Sequence, residues 1–178
     1  LPCIHSYDSW TRLEEVWLGD VYPVEWYEHL DHQVRDTFQH ITESTKQDLY
    51  QIQSCIESFG IKVHRPSYSN IEDFVNEKGY LWKPQICPRD VFVVLGEKLL
   101  IPPESFIAYK AWQHVFVEYP SQCLKTNYNH WVNGANCVRM GRDLIVDGGW
   151  STSEQRKLDD LSPFEGYRTT FINNGGHV

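Results

Sequence analysis

Apolar positions along the chain fall into short blocks whose spacing assigns most of them an element. Glu14-Glu15-Val16-Trp17-Leu18, closed by Gly19, predicts a first strand. A long polar stretch through His29, Asp31, His32 and Arg35 follows and carries no period that assigns it an element. Beyond it, Leu49, Ile52, Ile56 and Phe59 stand at offsets of 0, 3, 7 and 10, which is one apolar stripe on a helix. Ser44 and Gln47 form a capping box that would start this helix, and Gly60 supplies the left-handed residue that ends it. Ile61-Lys62-Val63-His64 alternates as a short strand that Pro66 stops. The first segment therefore reads as strand, helix, strand.

Two later segments share one pattern. Val91-Phe92-Val93-Val94-Leu95, then Gly96-Glu97-Lys98, then Leu99-Leu100-Ile101 predicts a tight hairpin, and Cys137-Val138-Arg139-Met140, Gly141-Arg142-Asp143, Leu144-Ile145-Val146 predicts another. Gly96 and Gly141 are 45 residues apart. Each hairpin precedes a predicted helix, one over about 104–119 and one starting near Ser151, where Glu154 completes a further capping box. A strand pair followed by a helix, recurring at this interval, is the pattern of a repeat architecture, and three such units fit in the chain. Repeats need their neighbours, and a ring needs closure, so the expectation is that more chain belongs to the fold than runs from Leu1 to Val178.

Composition narrows the classes. The 178 residues suit one domain, 1–178, or an incomplete part of a larger one. Hydrophobic residues at 41% and charged residues at 22% describe a folded chain and exclude disorder as the main state. Lys and Arg total 16 against 24 Asp and Glu, a net charge of -8, which argues against a duplex nucleic-acid partner, since that needs a basic face. No apolar run approaches the roughly 20 residues that span a bilayer, so no membrane is implied. Seven Trp within an aromatic content of 14% can build a sizeable core. Cys3, Cys55, Cys87, Cys123 and Cys137 are irregularly spaced, with no CxxC pair, and read mostly as buried reduced thiols in a reducing compartment, hence a cytoplasmic location. His29 and His32 lack a third ligand, and His5, His40, His64, His114 and His130 show no ligand spacing, so no metal is expected.

The motifs carry more than the composition. Cys3-Ile4-His5-Ser6-Tyr7-Asp8-Ser9-Trp10, running on through Leu13-Glu14-Glu15-Val16-Trp17-Leu18-Gly19, closely resembles the amino-terminal signature of the arginine:glycine amidinotransferase family. The similarity resumes at Ser58-Phe59-Gly60-Ile61-Lys62-Val63-His64-Arg65-Pro66, at Cys87-Pro88-Arg89-Asp90-Val91-Phe92-Val93-Val94-Leu95-Gly96, at Met140-Gly141-Arg142-Asp143 and at Gly175-Gly176-His177-Val178, in family order. The resemblance implies the guanidino-modifying, or pentein, superfamily. Its fold is a five-bladed α/β propeller of ββαβ units, of which about three would be present here. It also implies the chemistry of moving an amidine group from arginine: a cysteine thiolate attacks the guanidinium carbon, a histidine shuttles protons, and two carboxylates grip the planar cation through paired, charge-assisted bonds.

Carried over one position at a time, the resemblance implies guanidinium binding for Asp90, with Arg89 beside it, and the catalytic histidine for His177. Asn133-Gly134-Ala135-Asn136 aligns with an acidic motif in which both acids are replaced by amides. Asn133 stands where the family orients its histidine and supports the substrate, and Asn136 is read, with Asp90 and Arg89, as substrate-binding. An amide keeps hydrogen-bonding capacity but loses the charge. None of the five cysteines stands at the family's nucleophile position, so the nucleophile is expected outside the chain; Cys87 and Cys137 read as packed thiols near the cleft.

Two readings follow. One is an amidinotransferase acting on arginine and an amine acceptor such as glycine, with no cofactor because the thiolate supplies the chemistry. The other is a catalytically inactive pentein-like module with a structural or assembly role. Either is expected to form a homo-oligomer or join a larger assembly.

Overall fold

The structure is a computed structural model and describes residues 4–101, 106–120, 124–125, 134–147 and 164–172. Strand β1 (Glu15–Trp17) pairs in parallel with β2 (Lys62–His64), in the register Glu15 to Lys62, Val16 to Val63 and Trp17 to His64. Between them runs α1, over His32–Ser58. The predicted order of strand, helix and strand is therefore correct. The helix begins 12 residues before the predicted start at Ser44, which lies inside it. Asp31 holds the N-cap position without a side-chain cap bond, and the helix continues through Val34, Phe38 and Ile41, which extend the spacing of the stripe toward the amino terminus. Gly60 does take the left-handed backbone expected past the helix, at φ 75°.

Both hairpins form, each with a two-residue turn rather than the three residues read, because Lys98 and Asp143 open the second strands. Strands β3 (Val93–Leu95) and β4 (Lys98–Leu100) are antiparallel, with Leu95 opposite Lys98 across a two-residue turn. The first turn residue, Gly96, has φ 60°, a conformation such turns demand and side chains resist. Helix α2 (Phe106–Phe116) follows and ends three residues before the predicted 119, residues 104 and 105 lying outside those described, and β5 (Leu124–Lys125) then pairs in parallel with β4. The second hairpin joins β6 (Cys137–Met140) to β7 (Asp143–Asp147), and β8 (Arg168–Ile172) adds in parallel to β7. The sheets β3-β4-β5 and β6-β7-β8 thus repeat one topology, a hairpin whose second strand gains a parallel neighbour later in the chain. The first repeat is complete as ββαβ; the helix predicted from Ser151 lies outside the described residues.

The chain divides into two compact units, Leu1–Arg12 with Arg89–Phe106 and His114–Val178, and Leu13–Pro88 with Ile107–Gln113. The core of the first unit is Val93, Leu95, Leu100, Cys137, Leu144, Val146 and Phe164, where the inward residues of both hairpins meet, with Tyr167 against it. The second unit is held by aromatic packing. Tyr22 and Tyr68 meet edge-on at 4.7 Å, Phe74 and Trp26 join them, and Trp17 stacks on Trp112 at 5.4 Å. Here Glu15 and His64 from the paired strands are joined at 2.8 Å, and Arg65 reaches Asp20 at 2.8 Å.

Candidate functional site

Asp90 ends a 3-10 turn, Pro88–Asp90, whose Pro88 is buried and whose Asp90 side is exposed. The carboxylate therefore stands at a surface just before the chain enters the core at Phe92 and Val93. Arg89 bonds to the backbone of a neighbouring turn. Its Nε donates to the Gly134 carbonyl at 2.8 Å and its Nη2 to the Ala135 carbonyl at 3.5 Å. Gly134 has to be glycine for this approach, because a Cβ there would meet Arg89 Cγ at 2.7 Å. The guanidinium thus works as a clasp between the Pro88–Asp90 turn and a second 3-10 turn, Gly134–Asn136, at the mouth of β6.

The clasp brings together two segments singled out in the sequence, those of Asp90 and Asn136. Asn136 is buried, at 4% exposure, and leads directly into β6. Asn133 and His177 lie outside the described residues. An ionised carboxylate accepts hydrogen bonds only, while an amide both donates and accepts.

Cys137 adjoins Asn136 and is buried in the core of the unit. Burial pushes its thiol up to about 12, the nearby Arg139 and Arg89 cations pulling weakly the other way. At neutral pH it is a protonated, packed thiol, as read from the sequence, and no thiolate nucleophile. Cys87 departs from that reading, because it is exposed. Cys55 is exposed as well, so among the three described cysteines only Cys137 is buried, and Cys3 and Cys123 lie outside the described residues. The exposed pair stand on a turn approach and on the outer surface of a helix, where spacing alone gives no sign of burial.

Arg139 was legible only as a strand residue, yet it organises this unit. Its Nη1 donates to the Ser6 carbonyl at 3.1 Å, to Ser6 Oγ at 2.7 Å and to the Val94 carbonyl at 2.8 Å. Burial lowers its pKa, an expense offset by these acceptors. Ser6 also exchanges backbone bonds with Gly96 at 2.8 and 2.9 Å. The segment Ser6-Tyr7-Asp8 is thereby fixed to the first hairpin, with Tyr7 stacked on Tyr167 at 5.9 Å and Arg142 over the Tyr7 ring at 4.6 Å. A charged residue inside an otherwise apolar strand, Cys137-Val138-Arg139-Met140, is the signal that could have found it. Among the described residues no group of His, Cys, Asp and Glu could hold a metal ion, and no helix is long and apolar enough to cross a membrane.

No protein-family model and no curated protein matches the sequence. Solved structures do match it. An inosamine-phosphate amidinotransferase from Streptomyces griseus superposes with a TM-score of 0.67 at 17% identity, covering 98% of this chain and 65% of its own. An amidinotransferase of the saxitoxin biosynthetic pathway in Microseira wollei gives 0.62 at 18% identity, covering 95% of this chain and 64% of its own. The chain thus spans about two-thirds of the length of either structure. It has the fold of the amidinotransferases, a pentein-type α/β fold, as the motif resemblance implies.

Proposed function

We propose that these 178 residues form part of one amidinotransferase-like domain that transfers the amidino group of arginine to an amine acceptor such as glycine. The observation that carries this reading is the Arg89 clasp, which sets the Asp90 turn beside the Asn136 turn in a chain with an amidinotransferase fold. In the proposed reaction a cysteine thiolate outside these residues adds to the guanidinium carbon. The bond to the ornithine nitrogen breaks, and His177 gives that nitrogen its proton. The acceptor amine then attacks the amidino-cysteine, its proton passes to His177, and the carbon–sulfur bond breaks to restore the thiolate. Asp90 and Asn136 hold the cation, and Asn133 orients His177. We further read the repeated ββαβ topology as blades of a five-bladed propeller, about three of them within this chain.

A second reading is favoured by one feature. Asn133 and Asn136 stand where the resemblance implies acids, so the same scaffold could serve as a non-catalytic module of an assembly. The two are separated by supplying the full-length protein with arginine labelled in the guanidinium carbon, together with glycine. The enzyme reading expects ornithine release and a transient protein-bound label on a cysteine other than Cys137. No ornithine and no bound label would leave the module reading standing and overturn the enzyme.

A further inference from the structure

Among the described residues of the first unit, two polar side chains are buried, Asn136 at 4% exposure and Asp147 at 1%. They come from opposite strands of the second hairpin. Cys137 pairs with Val146, so Asn136, one residue before Cys137, and Asp147, one residue after Val146, stand side by side where that ladder ends. Side chains opposite each other across antiparallel strands have Cβ atoms about 4.5–5.5 Å apart, a gap that an amide and a carboxylate can bridge. On its other side Asp147 pairs with Ile172, which offers no side-chain donor. An ionised carboxylate withdrawn from water is costly unless donors meet it, and the Asn136 amide is a donor beside it.

An amide has two ends of opposite character. Its oxygen accepts from a guanidinium, whereas its nitrogen would set N–H against N–H. Only the orientation with oxygen toward the cation binds it. Arg89 bonds the backbone of this turn, at the Gly134 and Ala135 carbonyls, and a bond to the backbone does not choose between the two ends of a side-chain amide. A carboxylate carries acceptors alone, so beside Asp147 the amide turns its N–H groups inward and its oxygen outward.

We propose that Asp147 is a positioning residue for the cation site: it accepts from the Asn136 amide and so holds the amide oxygen toward the guanidinium. The proposal rests on the reading of Asn136 as substrate-binding, and it needs no contact between substrate and the buried Asp147. Nuclear magnetic resonance of the full-length protein, isotope-labelled at asparagine, tests the pair without substrate. One Asn136 side-chain amide proton should lie well downfield of its partner and move back in Asp147→Asn, where the acceptor loses its charge. Arginine binding, measured calorimetrically, tests the consequence. Asp147→Asn should weaken it about tenfold. The exchanged pair, Asn136→Asp with Asp147→Asn, should bind arginine at least as well as the unsubstituted protein, because a carboxylate then faces the cation and an amide supports it. A merely structural role for Asp147 would leave the exchanged pair as weak as the single substitution. An Asn136 amide without the downfield proton, arginine binding unchanged by Asp147→Asn, or no recovery in the exchanged pair would overturn the proposal. Arginine bound by none of these proteins would overturn the amidinotransferase reading instead, and the amide signal would still decide whether Asp147 orients Asn136.

Discussion

Cys137 shows how a residue's surroundings, rather than its type, decide its chemistry. Val93, Leu95 and Leu144 share its core cluster, and the thiol keeps its proton because a thiolate there would lose its water. The consequence is measurable in stability. The unfolded thiol loses its proton near 9 and the folded one near 12, so between these values the unfolded state binds fewer protons and rising pH favours unfolding. The stabilisation is intact below about pH 9 and should fall by about 2 kcal/mol by pH 10.5. Urea unfolding midpoints at pH 8 and pH 10.5 check this. Cys137→Val should lose visibly less over the same interval, while Tyr22 and Tyr68, also raised by burial, keep part of the slope. Equal alkaline losses in both proteins would remove Cys137 from the cause.

At the scale of elements, side-chain bonds over long sequence distances hold the first unit in register. Arg139 ties Ser6 to Val94, so Arg139→Met, which keeps the bulk, leaves the two carbonyls without that donor. We expect a loss of about 2–4 kcal/mol in urea unfolding and faster hydrogen exchange at the Ser6 and Gly96 amides, with the β6–β7 amides much less affected. The hairpins were legible because a local rule governs them: apolar runs around Gly96 and Gly141 admit only a tight turn. The first half of α1 was not. Its residues 32–44 pack through Arg35, Gln39 and Thr42 while Val34, Phe38 and Ile41 stand exposed, so there was no apolar buried face to read, and a good capping box at Ser44 masked the true start. Strand β8 was missed because Arg168-Thr169-Thr170-Phe171-Ile172 gains its place from pairing with β7, a partner set by the fold. The Asp90 and Asn136 turns could be named only through family motifs, and what joins them, the Arg89 clasp, is a contact 45 residues long that no local pattern encodes.

At the scale of the whole molecule, the repeated sheets β3-β4-β5 and β6-β7-β8 and the superposition on two amidinotransferase structures agree on one scaffold. Trp10, Tyr80, Trp82 and Phe59 leave apolar surface exposed. The central claim, however, concerns the cation site, and its most direct test is arginine binding by the full-length protein, measured calorimetrically for the wild type and for Asp90→Asn. Because Asp90 is exposed, the substitution should leave the melting temperature unchanged. Loss of a charge-assisted bond costs about 1.5–3 kcal/mol, so affinity should fall by roughly 10- to 150-fold. Arginine bound equally well by both proteins, or by neither, would contradict a guanidinium site at the Asp90 turn.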